Sequence, residues 1–285
     1  MAGVTVVSDS NAYVPKRFAE ANGLVMLQQY VHFANGRSEH EDEVDLDAFF
    51  EEIRSAEGLP TTSHPTVDDF RSAYEQLLGN SDAIVSVHSS SQISETCEAA
   101  AEAAAQLGAE DRIHVVDSQS AGGGLGLIAL AAARRAAMGE GAERVVGTAE
   151  EARAELKMWF AIDTLEFLRR SGRLGAAGAW IGSTLRVKPI LTMENGQMMP
   201  VERVRTSERA FERLVDYARQ RHASGADAWV VQHVRSPEQA ELLVERARDV
   251  FETDPVFVSE IGAVVGAHTG PGLIGIGALP PRLLT

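Results

Sequence analysis

Hydroxyl side chains crowd three short stretches of this chain: Thr61-Thr62-Ser63, Ser89-Ser90-Ser91 with Ser94 close behind, and Thr269 beside His268 in Ala267-His268-Thr269-Gly270-Pro271-Gly272. The first and third sit in loops constrained by proline or glycine. A fixed set of hydroxyl donors is what recognition of an anion needs. Ser94 precedes an alanine-rich run that ends at Gly108, which places it as the N-cap of a helix. Unpaired N–H groups and the positive helix end favour an anion there. The same serines also serve simply to cap and turn the chain, with Glu95 and Glu98 satisfying the dipole, and on this stretch both readings stay open. Arg169, Arg170 and Arg173 crowd a further loop of an otherwise acidic chain. Arg169 fits a solvated helix end, whereas Arg173 lies beyond Gly172.

Carboxylates and histidines offer a different chemistry. Asp9, His88 and Asp117 each close a short apolar run, and together they compose an alternative site, that of a metal-dependent hydrolase. Asp9 and Asp117 equally suit the capping of helices that follow their strands. His64, His88 and His268 fall in loops and lack the short spacing of zinc pairs. Neither GxxxxGK[ST] nor GxSxG occurs. Gly124-Leu-Gly126-Leu-Ile-Ala129 matches GxGxxA in form, but Ser118 to Gly122 separate it from the preceding strand, so close helix packing accounts better for its glycines.

The elements that must hold these residues alternate. Val4–Val7, Ala83–His88 and Ile113–Asp117 read as buried strands, with apolar residues also from Leu24 to Phe33. Helices are predicted from Asp45 to Ala56, from Thr66 with a capping box at Asp69, after Ser94, from Gly122 to Met138 and from Ala142 to Leu156. Leu59–Thr66 reads as a loop. Strands and helices at this spacing form βαβ units and a mostly parallel sheet, whose ligands collect at the carboxyl ends of the strands. Beyond residue 155 the pattern changes. A short helix at DTLEFLRR, a small-residue run from Gly172 to Gly182 and a hairpin about Glu194-Asn195-Gly196 follow. Two amphipathic helices, Ser207–Arg221 and Ser236–Phe251, flank a strand at Trp229–Val234 before a glycine-rich close. The second half is therefore α+β-like, and the chain divides into domains 1–155 and 156–285.

Composition narrows the class. With 285 residues, two domains are expected. A formal charge of −15 argues against nucleic acid or an anionic membrane surface as partner. Cys97 is the single cysteine, so neither an internal disulfide nor a cysteine-based metal cluster is available. No apolar run approaches a membrane span, and MAGVTVVSDS reads as a first strand, not a signal peptide. A cytoplasmic protein is expected.

SDS at 8–10, TTSHP at 61–65, SSSQISET at 89–96, VDS at 116–118, DTLEFLRRSGRL at 163–174, KPIL at 188–191 and VVGAHTGPGLIGI at 264–276 span nearly the whole chain. In that order they resemble the DegV family of fatty-acid-binding proteins. The resemblance implies an N-terminal parallel α/β domain, a C-terminal α/β domain with a mixed sheet, and a ligand tunnel at their interface. It implies that Thr62 and Ser94 bind the carboxylate of a long-chain fatty acid, with Ser63, Ser91, Arg173, His268 and Thr269 in the head-group neighbourhood. It further implies a non-catalytic carrier, with no metal and no cofactor beyond the bound fatty acid. Such a carrier presents the acid to a separate fatty acid kinase that makes the acyl-phosphate. Glu95 and Cys97 depart from the family, which usually has glycine and an aromatic residue there.

Overall fold

The computed structural model of the chain describes residues 3–55, 60–180 and 187–285. Its first half runs β1 (Gly3–Asp9), α1 (Lys16–Ala21), β2 (Leu24–Leu27), β3 (Tyr30–His32), β4 (Ser38–His40), α2 (Leu46–Ser55), β5 (Thr61–Ser63), α3 (Val67–Leu78), β6 (Ser81–His88), α4 (Thr96–Gln106), β7 (Ile113–Asp117), α5 (Gly122–Ala137) and α6 (Ala142–Glu155). The second half runs β8 (Lys157–Ala161), α7 (Glu166–Arg170), β9 (Lys188–Glu194), β10 (Gln197–Val204), α8 (Ser207–Ala223), β11 (Ala228–His233), α9 (Pro237–Phe251), β12 (Phe257–Glu260), α10 (Ala263–Thr269) and β13 (Ile274–Leu279).

The fold is α/β, with a parallel sheet in the first half and a mixed sheet in the second, as expected. The parallel sheet has the order β2-β1-β6-β7. The mixed sheet has the order β10-β9-β8-β13-β11-β12, and its one parallel pair is β11 with β12. Local signals were reliable where side chain and backbone close on each other. Thr66 and Asp69 form the reciprocal capping box that starts α3. Asn195 and Gly196 turn the β9–β10 hairpin with φ of 49° and 80°, the left-handed pair a tight hairpin needs.

A third sheet, β4-β3-β5, was not anticipated. Thr61–Ser63 sits where a loop was expected and pairs antiparallel with β3. Its β-branched threonines suit a strand, and Pro60 and Pro65 confine it to three residues at a sheet edge. His268 and Thr269, also expected in a loop, form the last turn of α10, and His88 ends β6. Ala56, Leu59 and Gly182, at the limits of predicted segments, lie outside the described residues.

Helix α5 joins the two sheets. It is buried continuously from Gly122 to Ala133, as a helix apolar on every side must be. Its core contains Val6, Val85 and Val116 of the parallel sheet together with Val230, Phe257 and Leu279 of the second half. The glycines permit this double contact. A Cβ at Gly123 would stand 2.8 Å from Val230 Cγ2, and one at Gly126 would stand 2.9 Å from the Ala12 carbonyl. The GxGxxA pattern is thus a packing device.

Candidate functional site

Residues that follow β1, β2, β6 and β7 meet at the carboxyl edge of the parallel sheet, where they line a cavity of about 450 Å³. Thr62 and Ser63 reach it from β5, Ser91 and Ser94 from the β6–α4 loop, Arg173 from the loop after α7, and His268 and Thr269 from α10. All seven predicted site residues therefore line one space.

Local chemistry explains how each arrives. Gly172, with φ of 74°, ends α7 in a left-handed turn. Its N–H donates to Arg169 O at 3.3 Å, and Arg173 N–H donates to Leu168 O at 3.0 Å, the paired bonds of a Schellman cap. This cap directs Arg173 into the cavity, where Nη1 donates to Ser171 O at 2.5 Å and Nε reaches Ile93 O at 3.5 Å. Arg169 pairs instead with Glu166 on the exposed face.

Ser94 requires a correction: it is not the N-cap. Helix α4 begins at Thr96, and Glu95 occupies the cap position without a side-chain bond. A turn closed by Ser94 N–H to Ser90 O at 3.0 Å precedes the helix, leaving Ser94 Oγ 2.7 Å from Thr96 Oγ1. The Glu95 carboxylate is 80% exposed and lies 3.7 Å from His64 Nε2, and both residues line the cavity.

The hydroxyls differ in whether their proton is committed. Ser91 donates to the Asp117 carboxylate at 2.6 Å, and Thr269 donates to Val265 O at 3.0 Å. Neither acceptor can return a hydrogen bond, so these two protons are spent. Ser63 Oγ lies 2.8 Å from His32 Nε2 and Thr62 Oγ1 lies 2.8 Å from His268 Nε2. Burial foremost, and next the Arg173 guanidinium, push the His268 imidazole down to about 4, so it is neutral at pH 7. Its Nδ1 is buried without a partner among the described residues. An unpaired buried lone pair is tolerated better than an unpaired N–H, which puts the proton on Nε2, donating to Thr62. Thr62 then keeps its own proton for a ligand.

Behind this wall lies a buried network. Asp9 is wholly buried and accepts from Gln29 Nε2 at 2.8 Å, His88 Nδ1 at 3.0 Å, Ser89 Oγ at 3.0 Å and Ser89 N at 3.1 Å. Burial alone would raise its pKa; the bond and charge of His88 and the Ser89 bonds outweigh this and hold it low. Tyr74 donates to Ser86 Oγ at 2.8 Å, and Ser86 Oγ lies 2.7 Å from His88 Nε2. Both His88 nitrogens are thus in use, and Asp9 has its oxygens filled by protein donors. Asp117 ties down Ser91 and accepts from Gln119 N at 2.8 Å. The hydrolase arrangement of Asp9, His88 and Asp117 is therefore not formed. Among the described residues no three His, Cys, Asp or Glu side chains are grouped to hold a metal. Asn11 and Gln29 line the cavity and were missed. The one sequence signal was the polar pair Gln28-Gln29 interrupting an apolar run.

An apolar slot adjoins the polar cavity. The two share Ala121, Met198, Val265 and Thr269. Beyond them the slot runs between the start of α5 and the mixed sheet, past Phe160, Leu273 and Gly275. No helix among the described residues is long and apolar enough to cross a membrane.

Comparison with known proteins gives a consistent picture. The profile of the DegV family, described as uncharacterised proteins, matches residues 3–281. A DegV domain-containing protein of Streptomyces coelicolor is 38% identical over 96% of this chain and 97% of its own length. A solved DegV family protein of Thermus thermophilus, described for its fatty acid binding, is 31% identical with a TM-score of 0.88, covering 98% of this chain and 99% of that one. DegV of Bacillus subtilis, described as a fatty acid binding protein, is 34% identical with a TM-score of 0.87, covering 98% of this chain and all (100%) of that one.

Proposed function

This chain belongs to the DegV family, and on that premise we propose that it binds a long-chain fatty acid, carboxylate against Thr62 and Ser94, tail in the apolar slot. The observation that carries the reading is an apolar slot set against a polar cavity, the two sharing Ala121, Met198, Val265 and Thr269 as lining. A single-chain amphiphile is the ligand shape that fits such a junction. The solved relatives from Thermus thermophilus and Bacillus subtilis are described as binding fatty acids, which supports the assignment. Arg173 supplies positive charge beside the hydroxyls, with Ser63, Ser91, His268 and Thr269 completing the head-group wall. The boundary at 155/156 then divides the head-group loops, drawn mainly from the first domain, from the tail slot, drawn mainly from the second.

Affinity and orientation come from different ends of the ligand. Burying a sixteen-carbon tail yields on the order of 10 kcal/mol gross at about 0.8 kcal/mol per methylene. Each hydrogen bond to the carboxylate contributes about 1.5–3 kcal/mol. The tail holds the acid and the hydroxyls aim it. An aimed carboxylate is a substrate for phosphorylation, so the protein acts as a non-catalytic carrier that presents the acid to a separate fatty acid kinase. Its place is the cytoplasm, where the ATP for that transfer is found.

Organic extraction and mass spectrometry of the purified protein test the binding step, with about one fatty acid per chain as the expected result. A protein that releases no acyl chain, and takes up none when offered, ends the reading. With ATP and a cognate kinase, acyl-phosphate is expected to form. Acyl-phosphate made by this chain alone would defeat the carrier role.

A further inference from the structure

The slot is collapsed as it stands. Its volume is about 50 Å³, about a third of the roughly 150 Å³ of an engineered cavity that holds one benzene. A long acyl chain enters only if lining side chains yield. Val230, Ile261, Val265 and Ile276 are β-branched and stiff. Met158, Met193 and Met198 are unbranched thioethers that repack at little cost.

The three methionines stand at different ends. Met198 is at the mouth, shared with the head-group cavity. Strand register sets the depth of Met158. Gly275 pairs with Phe160 and Gly277 with Met158, so Met158 lies one side-chain level farther than Phe160 from the α10–β13 turn beside Thr269. Thr192 pairs with Trp159, which brings the next residue of β9, Met193, to the level of Met158. These two thioethers also line a separate cavity of about 370 Å³, together with Ser118, Arg153, Glu194 and Asn195. A side chain displaced by an arriving tail therefore has somewhere to go. Past it the surroundings turn polar and charged, and further methylenes would not be buried against carbon.

We propose that Met158 and Met193 form a yielding tail wall that sets the length of acyl chain this protein retains. The proposal rests on the fatty-acid reading above. As the slot fills, the two thioethers swing toward the separate cavity of about 370 Å³, and the tail stops where they stood.

The test uses the full chain, stripped of lipid and offered an equimolar mixture of straight-chain saturated acids of graded length, with retained acids identified by mass spectrometry. Met158→Ala and Met193→Ala each remove the side chain beyond Cβ, and the preferred length is expected to rise by about two to three methylenes per site. Met158→Ile and Met193→Ile keep the bulk but stiffen it, and are expected to favour shorter acids. Met158→Leu and Met193→Leu conserve volume and guard against misfolding, with a smaller displacement in the same direction as isoleucine. Bound lipid of unchanged length in the alanine, isoleucine and leucine variants would overturn the tail wall alone. A parent protein that retains no acid would overturn the fatty-acid reading and the tail wall with it.

Discussion

A hydroxyl can hand its single proton to one acceptor, and that count divides the residues around the cavity. Ser91 and Thr269 have spent theirs on Asp117 and on the Val265 carbonyl, whereas Thr62 and Ser94 face an imidazole and another hydroxyl that can donate in return. Thr62→Ala combined with Ser94→Ala is therefore expected to retain lipid, more weakly, because the tail term exceeds two hydrogen bonds. Phosphoryl transfer should fall by on the order of a hundredfold, the cost of a head group misplaced by about 1 Å. Thr62→Ser should restore most of the transfer. Ser224→Ala, an exposed hydroxyl at the C-cap of α8 bonded to Arg221 O, is the control. Kinase-coupled acyl-phosphate formation is measured beside lipid retention. Transfer at the parental rate by the double variant would move the carboxylate to Ser63, whose proton is also open. Residue types and loop composition made Thr62 legible in the sequence. They did not reveal Asn11 and Gln29, whose places depend on an Asp9 carboxylate buried by strands far apart in the chain.

Helix α10 carries His268 to the site, and its other end is held by a buried carboxylate. Glu41 accepts from Tyr13 OH at 2.5 Å, Ser10 Oγ at 2.6 Å and Val264 N at 2.9 Å, while Val265 N donates to the Tyr13 oxygen at 3.1 Å. Burial raises the Glu41 pKa, against the opposing pull of these bonds. Glu41→Ala leaves several buried donors unpaired and is expected to cost about 2–3 kcal/mol. The measurement is the shift of the urea midpoint at constant slope. Glu41→Gln keeps an acceptor and should lose less than half as much. Parental stability in Glu41→Ala would mean that α10 is held by its apolar contacts alone. Glu41 lies among Glu39, Asp42, Glu43 and Asp45 in the sequence, and nothing local marks it as buried. Its partner Val264 is 223 residues away. Elements that carry their own stop and start signals were legible: the Thr66 capping box and the Asn195-Gly196 turn. β5 was not, because its three residues are a strand only by virtue of pairing with β3.

At the scale of the molecule the two sheets are separate but the core is shared. Leu283 and Leu284, at the chain's end, join Val230, Phe257 and Leu279 in the apolar cluster around α5. Arg134 of α5 donates to the Leu284 carbonyl, and Arg282 pairs with Glu155 of α6 at 3.0 Å. The second half thus closes over a helix that belongs, in sequence, to the first. A fragment of residues 1–155 would lack those five side chains. At about 1.5–3 kcal/mol for each large apolar group, the loss is on the order of 10 kcal/mol, comparable with the whole stability of an ordinary domain. The fragment is expected not to fold by itself, and the full chain should unfold in one transition. The tryptophans provide the test, since all three (Trp159, Trp180 and Trp229) lie in the second half, whereas far-ultraviolet circular dichroism reports helices of both. Fluorescence and dichroism are expected to give coincident urea midpoints. Separate midpoints, or a cooperative transition in the isolated 1–155 fragment, would show that α5 does not couple the two halves, and that each sheet is stable with its own helices alone.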